Sequence, residues 1–220
     1  MRPLVTQEQQ LLPPCYGDEY CSGLFSDELD QMGLRQQVAP GFAMNDSKLR
    51  AFGKVRTVLL EEAETSDERI GLGLGFLGRL GPGDVLVVQG SMRFAYFGEL
   101  MSRLSQRQQL SGVVVEGLTR DSFYTQTIGL PIWYRGLSPV DIKGRGRVAA
   151  VDVPVRIGGV SCAPGDYLFG DSDAAVVVPA ASAETALGHV RRAAAHEQLL
   201  KRQIAEGLSV EQILEQTSGF

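Results

Sequence analysis

Glu99 and the dipeptide Arg120-Asp121, twenty intervening residues apart, are the side chains in this sequence best suited to chemistry. Asp121 offers hard carboxylate oxygen, suited to Mg²⁺ or Mn²⁺. Such a cation often keeps several waters and takes only one or two protein carboxylates. Arg120 offers a planar, always-charged fork for a carboxylate or for a developing negative charge. Glu99 can take or give a proton. The glycine turn at Gly98 would let backbone N–H groups approach a substrate carboxylate. The plain alternative is an Arg–carboxylate ion pair at a strand end, with Glu99 on a solvated helix face. Spacing alone leaves both open.

The elements around these residues favour a shared location. Asp84–Gln89 and Gly112–Glu116 are short apolar runs bounded by turns, and they predict buried strands. A third strand starts at Pro131-Ile132-Trp133-Tyr134. Phe94, Phe97, Leu100, Met101 and Leu104 recur at helical spacing and predict a helix from Phe94 to about Gln109; Thr119–Thr127 suggests a shorter one. Strand, helix, strand, helix, strand with short links is the pattern of right-handed crossovers and a parallel sheet. Glu99 and Arg120-Asp121 then follow the C-terminal ends of neighbouring strands, the edge where open α/β sheets bind ligands.

The flanks are less regular. Residues 1–22 read as an N-terminal arm and 23–220 as a single domain. A short helix is expected at Ser26–Gly33, with Ser26 as its N-cap. Gly53–Leu60 is strand-like. From Gly144 onward short β segments alternate with Gly-Gly, Pro-Gly and Gly-Asp turns. A long helix from about Ala181 to Glu206 and a short one at Val210–Gln216 close the chain. The fold class is thus α/β, with a central partly parallel sheet, a β-rich second half and a long C-terminal helix.

Composition narrows the partners. A formal net charge of −5 supplies no basic stripe to neutralise phosphates, which argues against nucleic acid. No apolar run approaches the roughly 18 residues of a membrane span. Cys15, Cys21 and Cys162 make an odd set without a CxxC pair and read as free thiols, so a cytoplasmic location is expected.

Several other features point to structure more than chemistry. Gly73-Leu74-Gly75-Phe76-Leu77-Gly78 fits GxGxxG, but a polar stretch precedes it and a turn follows, whereas a dinucleotide site needs a strand and then a helix. A glycine-bearing helix pressed against a neighbour is the simpler account. Asp166, Asp171 and Asp173 sit in Gly-Asp turns and suggest turn chemistry. His189 and His196 share a helix face without further metal-ligand partners. Trp133 reads as core, and Arg93 as a candidate contact for a distal substrate carboxylate.

As an ordered set, GDVLVVQG, GELMSRL, GVVVEGLTRD, GLPIWYRG, VPVRIGGVSCAPGDYLFGD and DAAVVVP resemble the RraA-like family from roughly Ser26 to Val178. That family includes class II, metal-dependent 4-hydroxy-4-methyl-2-oxoglutarate/4-carboxy-4-hydroxy-2-oxoadipate aldolases and a protein inhibitor of an RNA-degrading endonuclease. The resemblance implies a layered, swivelling β/β/α-type fold and a homotrimer or hexamer. It implies that backbone amides of Gly98, Glu99, Leu100 and Met101, with Arg120, bind a small 2-oxo acid. It makes Glu99 and Arg120 catalytic and Asp121 the ligand of a divalent cation, Mg²⁺ or Mn²⁺. Glu197 of a neighbouring subunit is the counterpart of a further family site residue. The implied activity is cleavage of a C–C bond through a pyruvate enolate, as in an aldolase or oxaloacetate decarboxylase. The alternative is a non-catalytic regulator of a protein partner. The sequence departs from the family pattern at Gln89–Phe94, at Ser122–Thr125 and at Ala174.

Overall fold

The computed structural model describes residues 17–64 and 70–216. The expected N-terminal arm lies largely outside the described residues, as does Cys15. In chain order the elements are α1 (Ser22–Gln31), β1 (Val38–Ala39), β2 (Ala43–Met44), β3 (Ala51–Glu62), α2 (Ile70–Leu77), β4 (Asp84–Gln89), β5 (Ala95–Phe97), α3 (Glu99–Arg107), β6 (Gly112–Thr119), α4 (Ser122–Thr125) and β7 (Ile132–Leu137). There follow β8 (Gly146–Val151), β9 (Val155–Ile157), β10 (Val160–Cys162), β11 (Tyr167–Gly170), β12 (Ala175–Val178), a 3₁₀ turn, α5 (Ala183–Ala205) and α6 (Val210–Gln216).

The main sheet runs β1-β12-β11-β3-β4-β6-β7-β2, with β8 added to β3 and β5 to β6. Its centre is parallel: β3 with β4, β4 with β6, and β6 with β7. The flanking pairs of β11 with β3 and with β12 are antiparallel, the second as its short hairpin link requires. Apolar runs in the central strands are buried on both faces, the expected signature of a covered parallel sheet. Leu86, Val88, Val113 and Val115 face a helix-side core with Phe76, Leu77, Phe94 and Phe97. Val85, Val87 and Val114 face the opposite core, where the β9–β10 hairpin contributes Val155, Ile157 and Val160. Helices, sheet and hairpin therefore form the expected β/β/α layering. A third cluster seats α1 and α5 on Phe52, Phe169, Val176 and Val178.

Trp133 is core, as expected: it is 1% exposed, and its indole N–H donates to the Asp171 carbonyl at 2.8 Å. Among the described residues no helix is long and apolar enough to cross a membrane.

Two local expectations are corrected. The segment predicted as one helix from Phe94 is a strand, β5, followed by a helix that starts at Glu99. Phe94 and Phe97 are buried by the strand region, while Leu100 (76%) and Leu104 (40%) are exposed and Ser102 and Ser105 turn inward. Apolar residues from two elements had mimicked one helical period. The first helix starts at Ser22, not Ser26, because a distant carboxylate caps it: Ser22 N–H donates to Asp171 Oδ2 at 2.7 Å. As expected for a glycine-bearing helix, Gly73 and Gly75 of the GxGxxG match lie inside α2, with Gly78 just past its end, and not in a strand-to-helix loop.

Candidate functional site

Gly98 follows β5 and serves as the N-cap of α3, yet no side chain of its own segment caps that helix. The acceptor comes from the next strand: Glu99 N–H donates to Asp121 Oδ2 at 3.0 Å. A Cβ at position 98 would overlap this carboxylate and lie 2.9 Å from Arg120 Cγ, so glycine is what permits the approach. Asp121 sits at φ 62, ψ 36, in the left-handed region that Asp tolerates better than most residues. That turn, between β6 and α4, directs its carboxylate back onto α3.

Arg120 is held by two carboxylates. Its Nη1 donates to Asp141 Oδ2 at 2.6 Å, and Nε lies 3.6 Å from Asp121 Oδ2. Asp141 Oδ1 accepts the Lys143 amide at 3.0 Å. Burial opposes ionisation of Asp141, but the Lys143 amide and the Arg120 guanidinium outweigh it and hold the carboxyl below its ordinary value. Glu99 accepts from Arg103 Nε at 2.8 Å, one turn along α3.

These residues converge. Gly98, Glu99, Leu100, Met101, Arg120 and Asp121 line one cavity of about 520 Å³. Arg120 and Asp121 also line an adjoining one of about 340 Å³, bounded by Phe123 and Leu137. The first-turn amides of α3 have no intrahelical acceptor by position, so this helix start suits an anion. Gly98, Glu99, Leu100, Met101, Arg120 and Asp121, which the family resemblance assigns to the site, are therefore brought to one place.

The donor set has a definite character. Among the described residues no group of three or more His, Cys, Asp and Glu is arranged to hold a metal. Asp141 is engaged by Arg120 and Lys143, and Glu99 by Arg103. Asp121 Oδ2 takes the Glu99 amide and lies 3.6 Å from Arg120 Nε, while its Oδ1 has no hydrogen-bond partner among the described residues. One carboxylate oxygen beside an open cavity fits a hard cation that keeps most of its water, and does not fit a tetrahedral zinc cage.

A family model described as Aldolase/RraA matches residues 24–177, more than half of the chain. The chain belongs to the RraA-like family. A Halalkalibacterium halodurans relative, provisionally named 4-hydroxy-4-methyl-2-oxoglutarate aldolase, is 30% identical over 129 residues, 58% of this chain and 61% of that protein. A relative of the same provisional name from Alkalilimnicola ehrlichii is 34% identical over 155 residues, 70% of this chain and 88% of its own. Among solved structures, Streptomyces coelicolor RraAS2 aligns with a TM-score of 0.73 at 32% identity, covering 84% of this chain and 92% of that one. It is described as an unusual member of the RNase ES inhibitor RraA protein family.

One expectation about this RraA-like site needs amending. Arg93 does not line the cavity; it is exposed and pairs with Glu62 at 2.9 Å. Glu197, expected to act from a neighbouring subunit, lies on α5, outside the cavity of its own chain, and pairs with Lys201 at 3.0 Å. The sequence reading also passed over residues that the fold delivers. Leu74, Tyr96, Asp141, Ile142 and Lys143 all line the larger cavity. Asp141 arrives because the chain after β7 returns beside β5, where Ala95 N–H donates to the Val140 carbonyl at 2.8 Å. Nothing local in Val140-Asp141-Ile142-Lys143 signals that return.

The acidic turn residues behave as turn chemistry predicts. Asp171 accepts the Asp173 amide at 2.9 Å as well as that of Ser22, and Asp166 accepts those of Ala163 and Ala180. His189 lies 3.4 Å from Glu28 across the α1–α5 contact. Gly73 bears out the packed-glycine reading, since a Cβ there would overlap the Tyr96 phenolic oxygen.

Proposed function

We propose that this RraA-like protein is a divalent-cation-assisted carbon–carbon lyase that releases pyruvate from a short 2-oxo acid. The substrate is a 4-hydroxy-2-oxo diacid, with oxaloacetate decarboxylation reaching the same enolate by loss of CO₂. The observation that carries this reading is the convergence of Asp121, Arg120 and the first turn of α3 on one cavity.

Asp121 would hold the cation through its free oxygen, with water completing the shell. When bound, such a cation supplies Lewis-acid polarisation of the 2-oxo group. The amides of Leu100 and Met101, together with Arg120, receive the substrate carboxylate at the helix start. Glu99 takes the 4-hydroxyl proton, directly or through water, as the C3–C4 bond breaks and C4 becomes a carbonyl. The electron pair passes to the enolate oxygen, where Arg120 offsets the developing charge. Return of the proton to C3 gives pyruvate. Asp141 keeps the guanidinium in position throughout.

The reading includes a cytoplasmic homotrimer or hexamer with Glu197 of another subunit near the cavity. Exposed Leu100, Leu104, Phe123 and Leu137 around the two cavities support an apolar contact with a further copy. The second reading, a regulator of a protein partner, draws on the description of the Streptomyces relative.

Pyruvate release decides between them. Oxaloacetate and 4-hydroxy-4-methyl-2-oxoglutarate are incubated with the protein, with Mg²⁺ and again after EDTA. Mg²⁺-dependent release from either supports the lyase. No release from both, with no Mg²⁺ affinity by calorimetry, overturns it in favour of the regulator.

A further inference from the structure

We propose that Tyr96 sets the substrate class of this site, its phenolic hydroxyl donating a hydrogen bond to a second carboxylate at the substrate end remote from the 2-oxo acid. The inference rests on the lyase-site reading above and adds a residue that the reading does not use.

The position of Tyr96 in β5 provides the placement. Ala95 and Phe97 are buried, and Tyr96 between them is partly buried, packs against the helix-side core and lines the cavity. Its ring extends from β5 to α2, where the phenolic oxygen rests against Gly73 in a space that any Cβ would fill. Arg120 and Asp121 instead crowd Gly98, at the other end of the same short segment. The hydroxyl, against α2, therefore stands away from the groups that hold the oxo acid, and Leu74 and Ile142 line the same cavity.

Two further facts define its role. The Tyr96 hydroxyl has no hydrogen-bond partner among the described residues, and the side chain is partly buried. A polar group so placed normally finds a partner, and the cavity that Tyr96 lines is where a ligand would supply it. Burial also pushes the phenol up to about 12, so it stays protonated and acts as a donor and not as a base. An acceptor on the ligand is the complement, and a carboxylate gives the stronger, charge-assisted bond.

The test compares two unreactive ligands of equal chain length, 2-oxoglutarate and 2-oxopentanoate, by calorimetry with Mg²⁺ present. The full-length protein is expected to favour the diacid. Tyr96→Phe removes one oxygen and is expected to weaken 2-oxoglutarate binding roughly ten-fold or more, with 2-oxopentanoate changed by less than about two-fold. A preference that survives in Tyr96→Phe, a wild-type protein without preference, or an equal loss for both ligands overturns the proposal. Pyruvate release from 4-hydroxy-4-methyl-2-oxoglutarate by the wild-type protein is scored separately. Turnover with an unchanged preference in the variant removes Tyr96 and leaves the lyase. A collapsed preference without turnover upholds Tyr96 and removes the lyase chemistry.

Discussion

Substituting Asp121 by Ala and by Asn separates its two jobs. Asp121→Ala removes the acceptor for the Glu99 amide, a cap interaction of about 0.5–2 kcal/mol. It also places Ala in the left-handed region, which costs about 1–2 kcal/mol. Together these predict a loss of about 2–3 kcal/mol, or a fall in Tm of roughly 5–10 °C for a domain of this size. Asp121→Asn keeps an acceptor oxygen and tolerates the same backbone, so its Tm is expected within about 2 °C of wild type. Both variants lose Mg²⁺ stimulation, because the amide is a far poorer ligand for a hard cation. Thermal unfolding with Mg²⁺-dependent pyruvate release reads both quantities. If Asp121→Asn unfolds as early as Asp121→Ala, the capping argument fails. If it retains full Mg²⁺ stimulation, Asp121 is not the ligand.

Two further predictions follow from the same geometry. The folded Asp141 carboxyl titrates below its ordinary value of 3.8, so its stabilising contribution stands in full above that pH and is lost as pH falls through the lower folded value. Asp141→Asn should flatten that acid limb of the Tm–pH curve and, by loosening Arg120, raise KM for the 2-oxo acid several-fold at pH 7; an unchanged KM would show that Arg120 needs no anchor. Leu104→Glu puts a charge on the exposed apolar face of α3 and is expected to shift sedimentation towards monomer with the far-UV spectrum unchanged. An unaltered assembly would move the subunit contact elsewhere.

Much of the frame was legible because local chemistry and final structure agree there. Asp84–Gln89 and Gly112–Thr119 are apolar on both faces, and they are buried on both. Val210–Gln216 forms the expected helix without adjustment. Phe94–Leu104 misled because a strand and a helix in succession placed apolar residues at a helical period. The two phenylalanines belong to the sheet region, and the leucines after Gly98 face outward. The start of α1 was equally hidden, since its cap is a carboxylate 149 positions away.

For the site, the sequence by itself determined the reagents. An Asp after a glycine-rich strand end, an Arg beside it and a Gly-Glu at a helix start each carry chemistry that no fold could add. The tertiary structure decided how they are used. The parallel pairing of β5 with β6 brings Gly98 against Asp121, so one carboxylate caps α3 and still presents a free oxygen. The return of the chain after β7 supplies Asp141, and the glycine face of α2 leaves room for Tyr96. Those contacts join residues far apart in the chain, and their energies depend on angstrom-scale approach between elements. Periodicity and composition report which face of an element is apolar, and not which distant backbone will meet it.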